Sequence, residues 1–98
     1  MSILNNKIKN WHKELLNQSF TDAIHIAKEH HYSIRIVEVD KVKLDVTDDI
    51  LQMRVNVTLK TPMNFSKENQ INIEHNIFKW MRVETNQKIA KVVHIDIY

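Results

Sequence analysis

The sequence predicts an α+β domain: two N-terminal helices packed across one face of a curved, four-stranded antiparallel sheet. Three observations carry that expectation. Residues 3 to 17 repeat apolar side chains at helical spacing, the period changes to two after Ser33, and the last third contains a run of strict alternation. The 98 residues suit a single domain, 1–98, near the lower end of sizes that bury a core unaided.

Leu4, Ile8, Trp11 and Leu15 fall four, three and four residues apart, the stripe of an amphipathic helix, with Ile3 and Leu16 widening it. Asn17-Gln18 interrupts the pattern. Ser19 then stands three residues before Asp22 and opens a second helix. Ala23, Ile24 and Ala27 share one side of it, and His30-His31 ends it, where an imidazolium suits the carbonyl terminus.

Ile34 and Ile36 alternate with Arg35, and Val42, Leu44 and Val46 alternate again, while Val37 and Val39 fall out of phase. That slip predicts a bulge, or a turn near Asp40-Lys41. Thr47-Asp48-Asp49 reads as a hairpin turn. Leu51, Met53, Val55, Val57 and Leu59 then give the cleanest strand pattern, closed by Thr61-Pro62. Residues 71–84 and 88–98 predict a final hairpin about Thr85-Asn86-Gln87, with Ile89, Val93, Ile95 and Ile97 on its apolar face and His94, Asp96 and Tyr98 on the other. A helix from Ser66 to Met81 fits the same text, with Ile73, Ile77, Phe78 and Met81 inward. Repeated asparagines and β-branched residues favour the strand.

At 43% hydrophobic and 27% charged, the chain is globular in composition. No apolar run approaches the roughly 20 residues of a membrane span, and the first residues lack the pattern of a signal peptide, so the expected location is cytoplasmic, with no membrane partner. Without cysteine, thiolate chemistry is excluded, and no cofactor is implied. The absence of glycine excludes glycine-rich phosphate loops and leaves φ > 0 positions to Asn, Asp or His. Fourteen basic residues are dispersed among twelve acids for a net charge of +2, which makes nucleic acid an unlikely partner.

The helix pair IKNWHKELLNQSFTDAIHIAKEH and the ending Trp80-Met81-Arg82-Val83-Glu84, Thr85-Asn86-Gln87, Lys88-Ile89, His94-Ile95-Asp96 resemble the nuclear-transport-factor-2-like superfamily, which includes polyketide-cyclase-like and ketosteroid-isomerase-like proteins. Gln87 stands where that family places glycine, and Val46 to Ile50 leaves no room for its third helix. The resemblance implies a cystatin-like cone, a short form of that fold, with a small-molecule pocket and a degenerate isomerase- or cyclase-like enzyme as one outcome. It does not place the family's catalytic residues here.

Candidate ligand-binding residues are Trp11, Tyr32, Trp80, His94 and Asp96: aromatic walls with an imidazole and a carboxylate on one strand face. The plainer reading gives the aromatics to the core and His94 and Asp96 to solvent. His25, His30 and His31 lack a helical metal spacing, so no metal site is expected. A homodimer through the sheet face away from the helices is expected, since both parities of residues 71–84 are partly apolar. The partners are therefore a second copy and a small apolar ligand or a protein. A non-catalytic interaction module is the alternative function. A small nucleic-acid-binding domain, through Arg54, Arg82 and Trp80 on the sheet face, or a small nuclease, suggested by Asp45 and Gln52-Met53-Arg54, is a further one.

Overall fold

A computed structural model describes residues 10–46, 53–67 and 71–97. The architecture is α+β, with a four-stranded mixed sheet in the order β2-β1-β3-β4. The chain runs through a 3-10 helix at Asn10–Leu15, α1 at Phe20–Glu29, β1 at Ser33–Val39, β2 at Val42–Lys43 and β3 at Arg54–Lys60. A 3-10 turn at Phe65–Lys67, α2 at Ile73–Met81, α3 at Glu84–Ile89 and β4 at Lys91–Ile97 complete it. No helix among the described residues is long and apolar enough to cross a membrane.

The start of α1 follows the sequence. The Ser19 hydroxyl accepts from the Asp22 N–H at 3.1 Å, satisfying one of the helix's open donors. His30 caps its carbonyl end, and His31 turns the chain out with φ 62°. Of the first predicted helix, residues 3–9 lie outside the described residues, and the remainder is 3-10 rather than α. Leu15 from that turn is fully buried beside Ala23 and Phe20.

Asp40 and Lys41, at φ 50° and 70°, join β1 to β2 as a two-residue hairpin closed by the Val39–Val42 pair. Two left-handed residues in succession match the twist of the flanking strands. Asn17 and Asn64 are left-handed as well, but so are Lys41 and Met53, which the expectation for a glycine-free chain did not include. The predicted turn at Thr47–Asp49 lies outside the described residues.

The sheet departs from the predicted antiparallel meander in two ways. First, β3 lies on the far side of β1 from β2 and runs parallel to β1, with Ile34 opposite Val55 and Ile36 opposite Val57. Second, the predicted strand over 71–84 is helical. Ile73, Ile77, Trp80 and Met81 form its inward stripe, with Ile77 and Met81 buried and Phe78 exposed. Asn86 and Gln87 do not turn a hairpin. They lie in α3, and their side-chain amides donate to Trp80 O at 3.0 Å and Met81 O at 2.8 Å, closing the carbonyl end of α2. The apolar residues that suggested a two-faced strand, and with it a dimer through the sheet, therefore belong to a helix. β4 is an edge strand antiparallel to β3.

The core is a single cluster in which Val55, Val57 and Leu59 of β3 meet Ala23 of α1, Ile77 and Met81 of α2, and Val39 and Val92 of the neighbouring strands. The opposite face of the sheet is polar, and it holds the site described next.

Candidate functional site

Two bulges flank one residue. Between Ile36 and Glu38, β1 carries an extra residue, Val37, opposite β3; between Val92 and His94, β4 carries an extra residue, Val93. Each bulge shifts the parity of its strand by one. In β1, Ile34 and Ile36 face the core before the slip and Val39 faces it after. In β4, Ile95 faces the core and so does Val92, while Val93, assigned to the apolar face by alternation, is 46% exposed. Ile89, assigned to the same face, lies in α3 and is exposed. Both slips occur beside Thr58, so Glu38, Thr58 and His94 stand in register across three strands on the outer face.

This row lies in a half-open cleft of about 460 Å³ that also draws on Lys41, Lys60 and Lys67. The far wall is held by Asp40. Its carboxylate accepts from the Thr61 N–H at 2.6 Å, the Thr61 hydroxyl at 2.5 Å and the Phe65 N–H at 3.1 Å, which ties the segment after β3 to the β1–β2 hairpin. Asp40 is thus a buried structural acceptor, whereas the side chains of Glu38, Thr58 and His94 face the cleft. Neighbouring strands are about 4.8 Å apart, so Glu38 and His94 are separated by roughly 10 Å with Thr58 between them. A group bound above Thr58 would reach both. No side-chain hydrogen bond links Thr58 to His94 among the described residues, so the pair is not set up as an activated nucleophile and its base.

The five residues singled out from the sequence reach three separate places. Trp11 and Tyr32 belong to an aromatic cluster at the start of the chain. Trp11 stacks on His30 with ring centroids 4.4 Å apart and meets Tyr32 edge-on at 4.8 Å, and His12 is fully buried against both rings. This packing seals the 3-10 helix onto the end of α1. Trp80 lies across the molecule's α2 side, 6.1 Å from Phe65 in a shallow groove of about 410 Å³ with Met63, Lys79 and Val83. His94 alone of the five lines the cleft. Asp96 shares its face but sits one row along, opposite Asn56, in the row Arg35–Asn56–Asp96. There Arg35 Nε donates to Asn56 Oδ1 at 2.9 Å, and Asn56 is only 2% exposed.

Glu38 and Thr58 were not singled out from the sequence. The signal available for Glu38 was the phase slip at Val37, and for the other flank the doublet Val92-Val93, in which only one valine can face the core. Among the described residues no three His, Asp or Glu side chains come together as a metal-ligand set. The nuclease reading needs Asp45 and Arg54 on neighbouring strands. Instead β1 lies between β2 and β3, and the exposed Asp45 donates its backbone N–H to Glu74 Oε1 at 3.1 Å. Gln52 lies outside the described residues. No family model, curated protein or solved structure matches this chain.

Proposed function

We propose that this protein binds a small molecule in the cleft on the outer face of its sheet. The observation that carries the reading is the pair of bulges beside Thr58, which aligns Glu38, Thr58 and His94 on the floor of one cleft. Bulges interrupt ladder hydrogen bonding and are common where a strand re-aims a side chain toward a ligand. The floor supplies an acceptor, a hydroxyl and an imidazole, and Val93 supplies apolar contact.

Saturation-transfer NMR with a mixed fragment set tests this. Fragments should give signals with the wild-type chain and lose them with Val93→Trp, a substitution at an exposed position that fills the cleft without entering the core. Signals that persist in the variant would overturn the reading.

A second reading, a module that engages another protein, is favoured by one observation. The Trp80 groove is apolar, and Met63 and Val83 at its rim are each nearly half exposed. Loss of any partner on Lys79→Glu together with Val83→Asp, with cleft binding retained, would support it.

A further inference from the structure

The outer face carries a basic rim that stability alone does not explain. Lys60 of β3 and Lys91 of β4 are direct cross-strand partners, and partners in register project from the same face. Like charges set opposite each other in this way disfavour the sheet. Lys60 lines the cleft, as do Lys41 from the hairpin and Lys67 from the 3-10 turn, and all four lysines are exposed. Lys41 holds its place at φ 70°, a conformation that a residue with a Cβ adopts at a cost. The opposing acids at the cleft are Glu38 and Asp40, and the Asp40 carboxylate is already occupied by three protein donors. Three lysines thus line one cleft, with Lys91 paired beside Lys60, against the two carboxylates of Glu38 and Asp40, a positive excess that an anion bound there would offset.

The lining also says what the rest of the ligand is. It contains no Phe, Tyr or Trp, which leaves the His94 imidazole without the broad aromatic platform that a nucleobase or a flat ring system would stack on. Glu38, Thr58 and His94 instead offer a spaced set of hydrogen-bond acceptors and donors, suited to hydroxyl groups. We propose that the cleft takes the phosphate monoester of a small hydroxyl-rich molecule, a sugar or polyol phosphate. Its phosphoryl group sits among Lys41, Lys60, Lys67 and Lys91, and its hydroxyls lie over the Glu38–Thr58–His94 row. This rests on the reading of the cleft as a ligand site and adds the chemical class.

The test is a ¹⁵N-detected NMR titration of the full chain with ribose 5-phosphate, ribose, inorganic phosphate, sulfate and a short single-stranded oligothymidylate, alongside the mixed fragment set. Ribose 5-phosphate is expected to shift the amides of Lys41, Thr58, Lys60 and His94. It should bind at least tenfold more tightly than inorganic phosphate, with ribose weaker still, and weaken as salt is raised. Lys60→Ala and Lys67→Ala should each reduce its affinity several-fold, whereas Lys88→Ala on α3 should leave it unchanged. Sulfate or phosphate matching the ester would mean an adventitious ion only and overturn the proposal, as would tighter binding of the oligonucleotide. Neutral fragments occupying the cleft while the ester does not would overturn the phosphate assignment and leave the cleft reading standing. If no compound shifts a cleft amide, both fail.

Discussion

Asp40 accepts both the backbone N–H and the hydroxyl of Thr61, at 2.6 and 2.5 Å, across 21 residues of sequence. With the Phe65 N–H as its third donor, this one carboxylate fixes the hairpin, the end of β3 and the following turn relative to each other. Asp40→Ala strands three buried donors and should lower stability by roughly 3 kcal/mol. Asp40→Asn keeps the shape but turns an amide N–H₂ toward a donor, and should cost about half as much. Urea denaturation measures both. A change below about 1 kcal/mol for Asp40→Ala would show that the contact does not organise the wall.

The bulge in β4 makes an unusual deletion tolerable. Removing one valine of the Val92-Val93 pair leaves a regular ladder in which the remaining valine, Ile95 and the residues between them keep their faces. The cost should stay below about 2 kcal/mol, since only the bulge is lost. Removing Ile95 forces a register slip that reverses side chains onto the wrong faces, and should cost more than about 4 kcal/mol or prevent folding. Equal costs for the two deletions would contradict the assigned register. The valine deletion should also abolish cleft binding, because it straightens the strand beside Thr58.

Arg35 and Asn56 are coupled through a part-buried hydrogen bond between the two parallel strands. Asn56→Ala leaves a charged donor short of an acceptor. A double-mutant cycle with Arg35→Ala should return a coupling of about 1 to 2 kcal/mol, typical of a bond to a charged group. Strict additivity would mean that the side chains do not interact in solution.

Met53 enters β3 at φ 63°, outside the proposed site. Met53→Gly relieves a left-handed conformation worth roughly 1 to 2 kcal/mol and adds roughly 0.5 to 1 kcal/mol of unfolded-state entropy. The net expectation is a small stabilisation, read as a raised midpoint in urea or a raised Tm. A clear loss of stability would contradict the assigned backbone geometry.

What was legible in the sequence was local. Ser19 and Asp22 announce the start of α1, His30-His31 its end, and the slip at Val37 together with Asp40-Lys41 gives both the bulge and the hairpin. What was missed depends on partners distant in sequence. Alternation identifies β3 as a strand, but nothing within Arg54–Lys60 says on which side of β1 it adds, or in which direction. Ile73 to Met81 satisfies both periods, and the burial of Ile77 and Met81 against the sheet outweighs the low helix propensity of its isoleucines and asparagine. Asn86 looked like a turn residue because asparagine tolerates left-handed geometry, whereas it and Gln87 are helical and bond through their amides to carbonyls of the preceding helix. At the candidate site, His94 was visible as a polar residue on a strand. Thr58 became informative only once both neighbours were known to bulge beside it.

Chemical-shift mapping of the mixed fragment set on the ¹⁵N-labelled wild-type chain tests the central claim most directly, because it locates binding residue by residue. Binding in the cleft predicts shifts concentrated at Lys41, Thr58, Leu59, Val93 and His94, with the Trp80 indole and the amides of Val83 and Asn86 unmoved. Shifts confined to Met63, Trp80 and Val83, or a spectrum that no fragment perturbs, would contradict it.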